Sequence, residues 1–160
     1  MESRWPSDTL NDIGVLKRRE IEARILAPTI EAFAAEIGRD RALEIVQGVI
    51  TRIARDQGKA LADRIGANTL PHFVKSQADW QKEDALHIEV RRMDDTAYDF
   101  DVTRCRYAEM YRALGIPELG AVLSCGRDFA LGAGFNPDLK LTRSQTIMDG
   151  APRCDFRYRL

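Results

Sequence analysis

From Gly14 onward the apolar positions fall at helical spacing. Leu16, Ile25, Leu26, Ile30, Phe33 and Ile37 mark one side of a helix that Gly38 stops. Pro28 lies inside it. Its ring removes an N–H and crowds the carbonyl four residues back, which predicts a kink or a split near Ala27. Asp40 can cap a second helix, along which Val46, Val49, Ile50, Ile53, Leu61 and Ile65 recur until Gly66 ends it. The mixed charges of residues 17–22 and 52–59 read as solvated faces. Leu70 to Trp80 form a short helix or turn.

The period then changes to two. Leu86, Ile88 and Val90 alternate with His87, Glu89 and Arg91, and Asp94-Asp95 supplies a turn. Tyr98, Phe100 and Val102 then alternate with Asp99 and Asp101. This is a β-hairpin with one apolar and one polar face. Thr103 is positioned to cap a helix carrying Tyr107, Met110, Tyr111 and Leu114, with Gly115 as its stop. Pro117 opens another helix running to about Leu131. Gly132, Gly134 and Asn136-Pro137 read as a loop. Leu139 to Met148 reads as a strand, Asp149-Gly150 as a turn and Arg153 to Leu160 as a last strand. The fold class expected is α+β: N-terminal helices and two antiparallel β-hairpins forming a small sheet, with helices inserted between the hairpins. Residues 1–13 read as a polar leader and 14–160 as a single domain.

Charge and composition narrow the function. The 160 residues carry 24 Lys and Arg against 25 Asp and Glu, a net charge of -1, so non-specific binding to nucleic acid is not expected. No apolar run approaches the roughly 18 residues that span a bilayer, and no signal core opens the chain. Three widely spaced cysteines do not make a disulfide framework. A cytoplasmic protein with reduced thiols, acting on a small molecule, is the expectation. Broad apolar sides on the first two helices are compatible with a homo-oligomer or with a buried helix pair.

All three cysteines lie in the last third, each within three residues of an arginine or aspartate. Cys105, two residues after Thr103, falls in a first helical turn, where backbone N–H groups, Arg104 and Arg106 would lower its pKa. The alternative is a small buried residue. Cys125 and Asp128 are three apart and share a helix face. They are either a reactive pair or a core thiol beside a surface carboxylate. Cys154 shares its strand face with Phe156 and Tyr158, which suits a core residue. Asp155 lies with Arg153, Arg157 and Arg159, as in a surface ion pair. His72 and His87 read as structural. No Cys-x-x-Cys pair, phosphate loop, nucleophile elbow or dinucleotide fingerprint occurs.

Five segments carry a resemblance: Val-Thr-Arg-Cys-Arg-Tyr-Ala-Glu-Met-Tyr (102–111), Leu-Ser-Cys-Gly-Arg-Asp-Phe (123–129), Gly-Phe-Asn-Pro (134–137), Gln-Thr-Ile-Met-Asp-Gly (145–150) and Cys-Asp-Phe-Arg-Tyr (154–158). With them the chain resembles the L-2-amino-thiazoline-4-carboxylic acid hydrolase family, from about Val15 to Tyr158. The resemblance implies hydrolytic opening of a five-membered ring at an amidine-like carbon, giving a carbamoyl-cysteine, with no cofactor. That chemistry needs a nucleophile or base, a proton carrier and a cation for the carboxylate. Cys105, Cys125 and Cys154 offer thiols. Asp128 and Asp155 offer proton carriers. Arg104, Arg127 and Arg157 offer carboxylate clamps, and Asn136 of Gly-Phe-Asn-Pro a substrate contact. A metal held by Cys105, Cys125 and Cys154 is an alternative. Ala133 stands where family members often carry an acid, and Arg153 where they often carry a histidine. Either group would serve in proton transfer. Two other functions fit the layout: a small-ligand or metal-binding sensory module without turnover, and an accessory subunit of a catabolic enzyme.

Overall fold

The computed structural model describes residues 13–160, so the expected leader lies outside the described residues but for Ile13. Helix α1 (Val15–Ile37) meets α2 (Arg39–Ile65) at Gly38, whose φ of 87° is the left-handed geometry glycine adopts readily. Gly66 ends α2, as expected, in the αL conformation, with a φ of 74°. The expected split at Pro28 does not occur; α1 runs through it as one helix. Nearby, the Thr29 hydroxyl donates to the Ile25 carbonyl at 2.8 Å, bonding within the turn that the proline loosens.

Only part of the apolar stripe is core. Leu16, Ala23 and Ile30 of α1 and Ala42, Ile50, Ala54 and Gly58 of α2 are buried. Ile25, Phe33, Ile37, Val49 and Ile53 stay exposed. Small residues form the seam because they let helix axes approach closely. Arg19 is buried as well, which corrects the reading of residues 17–22 as a solvated face.

Short helices α3 (Leu70–Ser76) and α4 (Ala78–Gln81) lead to β1 (Leu86–Met93) and β2 (Ala97–Cys105). Asp94 closes their turn: its Oδ1 accepts from the Thr96 and Ala97 N–H groups, each at 2.9 Å. Helices α5 (Arg106–Ala113), α6 (Pro117–Gly120) and α7 (Arg127–Phe135) follow. Strands β3 (Lys140–Thr142) and β4 (Cys154–Arg159) complete an antiparallel sheet in the order β1-β2-β4-β3. The expected strand 139–148 is thus only three residues long, and residues 143–153 are turn and coil.

The expected helix from Pro117 to Leu131 is interrupted by a π-helical turn, Ala121–Cys125, and its last part extends to Phe135. Gly132 and Gly134, expected in a loop, are helical. The reason is packing. A Cβ on Gly134 would strike the Arg55 carbonyl oxygen, and one on Gly58 the Leu131 carbonyl oxygen. The two glycines let α7 lie directly on α2.

Two apolar clusters result. One joins α1, α2, α5 and α6 around Ile30, Ile50, Tyr111, Leu119 and Leu123. The other covers the inner sheet face, where Phe100 stacks on Phe156 with ring centroids 4.7 Å apart. Cys105 packs against both.

Candidate functional site

Cys105 ends β2 and is itself the N-cap of α5, its sulfur accepting from the Ala108 N–H at 3.4 Å. Thr103 is not the cap, because pairing with β1 carries β2 on to Cys105 opposite Leu86. Nor do the flanking arginines serve the thiol. Arg104 donates to Glu109 at 2.8 Å, and Arg106 to the Glu83 carbonyl. Burial pushes the Cys105 thiol up to about 11, with the Ala108 bond opposing. The surroundings thus raise this thiol's pKa, where the flanking arginines were expected to lower it.

Cys125 closes the π turn, whose i to i+5 bond runs from the Gly126 N–H to the Ala121 carbonyl at 2.8 Å. Turns of this kind recur at functional sites. Burial, then the nearby Asp128 carboxylate, push the Cys125 thiol up against the pull of Arg143. Cys154 lies on the inner sheet face, as its parity predicts, and its sulfur accepts from the Ile147 N–H at 3.2 Å. Burial raises this thiol too. Cys105 and Cys154 both act electrostatically on Cys125, and Asp128 acts on all three thiols. Cys105 packs against the cluster that Cys125 adjoins and against the one that holds Cys154, so residues 20 and 29 apart in sequence share one interior region.

The carboxylate there is Asp128, bound by Arg143 Nη1 at 2.5 Å. Arg143 Nη2 donates to the Cys125 carbonyl at 3.1 Å, and its guanidinium lies 5.0 Å from the Phe129 ring centre and 5.1 Å from that of Phe156. The side chains are 7% and 19% exposed for Arg143 and Asp128. Burial raises the Asp128 pKa although Arg143 opposes it. A carboxyl poised upward suits proton transfer. Sequence reasoning missed Arg143. The signal was its parity with Leu139, Leu141 and Ile147, which put a cation on the inner side of that segment.

A second polar group adjoins the first. Arg127 is 6% exposed; its Nε donates to the Leu123 carbonyl at 2.7 Å and its Nη2 to Glu22 at 3.1 Å. Arg19 binds the same carboxylate at 2.9 Å, and Arg18 at 3.2 Å. Arg127 Nη1 and the hydroxyls of Tyr111 and Tyr158 are buried without a protein partner. Arg19, Glu22, Tyr111 and Tyr158 were also missed, since apolar helix faces and aromatic strands hide polar tips.

Other candidates lie apart. Asp155, expected in an arginine ion pair, instead accepts from the N–H groups of Ser144 and Gln145, each at 2.9 Å, and pins the segment that carries Arg143. Burial opposes ionisation, but these bonds hold its carboxyl below the usual range. Asn136 donates to the Asn68 carbonyl and accepts from the Asp138 N–H, so both ends of its amide are engaged in loop structure. Arg157 binds Asp101 at 2.8 Å on the outer sheet face, and Arg104 is a surface residue. Arg153 also faces Asp101, at 3.7 Å, and Ala133 lines a depression with Arg55, Asp56 and Lys59. The two departures from the family pattern are therefore outside the thiol region. Among the described residues no group of three or more His, Cys, Asp or Glu is arranged to hold a metal ion. No helix among them is long and apolar enough to cross a membrane.

Neutral thiols make a direct prediction. Alkylation by iodoacetamide should be slow near neutrality and, for Cys105, rise about tenfold per pH unit toward the pKa of about 11. A rate that levels off by about pH 8 would mean that a thiolate is already present, against this geometry.

Comparison with known proteins agrees with the motifs. The sequence profile described as L-2-amino-thiazoline-4-carboxylic acid hydrolase matches residues 18–158. No curated protein matches the chain. Eight solved chains match its structure. One is the phenol-responsive sensory domain of the transcription activator PoxR, solved with phenol, at 11% identity and a TM-score of 0.49, covering 99% of this chain and 77% of that one.

Proposed function

This chain belongs to the L-2-amino-thiazoline-4-carboxylic acid hydrolase family, and we propose that it opens a small cyclic amidine-like C–N substrate such as L-2-amino-thiazoline-4-carboxylate. The observation that carries this reading is the convergence of Cys105, Cys125 and Cys154 on the Asp128–Arg143 pair.

An amidine is a base, and its protonated form is a cation. Brought among buried thiols and a buried carboxyl, it favours their charged forms, which burial alone suppresses. The resting thiols are neutral beside the Asp128–Arg143 pair, and the substrate supplies the charge that activates them. Cys125, nearest Asp128 in the chain, is the nucleophile. Its sulfur adds to the amidine-like carbon as its proton passes to Asp128. The ring bond at that carbon breaks, and the departing ring atom takes the proton from Asp128. Water then attacks the same carbon. The C–S bond to Cys125 breaks, one proton returns to that sulfur, and a carbamoyl-cysteine leaves. One water is consumed and no oxidation state changes. Arg143 holds Asp128 in place throughout. The free thiols suit a reducing, cytoplasmic setting.

The test is turnover of 2-amino-thiazoline-4-carboxylate by purified protein, with and without chelator. Turnover indifferent to chelator, and reduced at least about 10³-fold by Cys125→Ser, is expected. Loss on chelation would replace the thiol mechanism with a metal one. A full loss in Cys105→Ser, with Cys125→Ser active, would move the nucleophile. No turnover at all would overturn the substrate.

A further inference from the structure

Glu22 is the carboxylate on which the buried guanidinium groups of Arg19 and Arg127 converge, and half-buried Arg18 joins them. Among the described residues, one carboxylate thus faces two buried guanidinium groups. A guanidinium taken out of water without full compensation is costly, and the site gains if another anion enters. Burial, with Arg19 beside it, lowers the Arg127 pKa to about 10, as expected of such a charge.

The free valences point the same way. Arg127 uses Nε on Leu123 and Nη2 on Glu22, which leaves Nη1 without a protein acceptor. The Tyr111 hydroxyl, fully buried, has none either. Tyr107, one turn earlier on α5, makes the contrast: its hydroxyl donates to the Trp80 carbonyl at 3.0 Å. Tyr111 packs with Leu123, the residue that anchors Arg127, and lies within electrostatic reach of Arg19, Glu22, Arg127 and Cys125. Two donors and an excess of positive charge call for an acceptor that is also an anion. A carboxylate meets both demands, since its two oxygens accept several bonds at once.

We infer that Arg127 Nη1 and the Tyr111 hydroxyl, backed by Arg19, form a receptor for the carboxylate of the substrate and so select ring substrates that carry one. The inference rests on the hydrolase reading for the identity of the ring, but not for the existence of the receptor. Arg127 acts electrostatically on Asp128, and Cys125 on Tyr111, so a carboxylate held here lies in the neighbourhood of both reacting groups. Tyr111 on this view is a specificity residue, acting on substrate binding rather than on the chemical step.

Tyr111→Phe is the sharpest test because it removes only a hydroxyl that no protein atom needs, so the fold and its Tm should be retained. For 2-amino-thiazoline-4-carboxylate the variant should raise KM about 10- to 50-fold with kcat nearly unchanged. For 2-amino-thiazoline, which lacks the carboxylate, KM should not move. An unchanged KM for the carboxylate would mean that the hydroxyl serves only water or packing, and overturns the inference. Calorimetric binding of thiazolidine-4-carboxylate gives a readout free of turnover. Binding weakened at least about tenfold by Tyr111→Phe supports the receptor, even where no hydrolysis is found; that result would sink the hydrolase reading alone. Binding indifferent to Tyr111, or acetate binding as tightly as the ring, would remove the receptor while leaving any turnover to be explained otherwise.

Discussion

Arg143→Met is expected to destabilise the protein by about 3–5 kcal/mol and to abolish turnover. Arg143 is the counter-charge of Asp128 at 2.5 Å and the donor to the Cys125 carbonyl at 3.1 Å, and it lies against the faces of Phe129 and Phe156. Methionine replaces the packing but leaves a buried carboxyl and a carbonyl unpaired. The sign with pH follows from Asp128. Its folded pKa is already raised above the ordinary 3.8 by burial, with Arg143 opposing. A raised carboxyl contributes stability below its unfolded pKa and loses it as pH rises through the folded value. Without Arg143 that value rises further, so the deficit should be small near pH 4 and grow toward neutrality. Asp128→Asn in the same background should recover part of the stability and none of the activity. Urea denaturation across pH checks both statements. A loss below about 1 kcal/mol at neutral pH would mean that water screens the pair.

Gly58→Ala should be nearly as damaging, at about 3 kcal/mol, for a purely steric reason. Its Cβ would meet the Leu131 carbonyl oxygen and stand 2.7 Å from the Phe135 nitrogen, both backbone atoms that no rotamer can move. Helices α2 and α7 would have to part, carrying Arg127 and Asp128 with them. Gly48 on the same helix is the control. A Cβ there meets nothing within 4 Å, so Gly48→Ala should stabilise by roughly 0.5–1 kcal/mol through helix propensity. Equal Tm values for the two variants would contradict the close packing of α2 on α7.

The helices and hairpins were legible because their periods are strong and their glycine stops real: Gly38, Gly66 and the Asp94 turn all act as the residue types dictate. What failed was contact between elements. Gly132 and Gly134 look like loop residues until α2 is laid beside them. The stripe from Ile25 to Ile37 looks like core until the small seam through Ala23 and Ala54 is seen. The site was half legible. Cys105, Cys125, Asp128 and Arg127 were candidates by residue type and motif, with burial of the thiols left as the alternative reading. Local sequence around Cys105 contains arginines, and whether an arginine faces a neighbour's thiol or a distant glutamate is decided by the strand register. Arg143, Glu22 and Tyr111 enter from remote segments, and Arg127 meets Glu22 across 105 positions.

That last separation has a consequence for the life of the protein in the cell. Contacts between distant segments form late, after loop-closure entropy has been overcome. Until they form, the three thiols are ordinary ones that ionise near 9.0 and are open to oxidants. Closing the chain raises the pKa of all three by burial. Oxidation of these thiols is therefore expected to be faster in newly made or unravelled copies than in the folded protein.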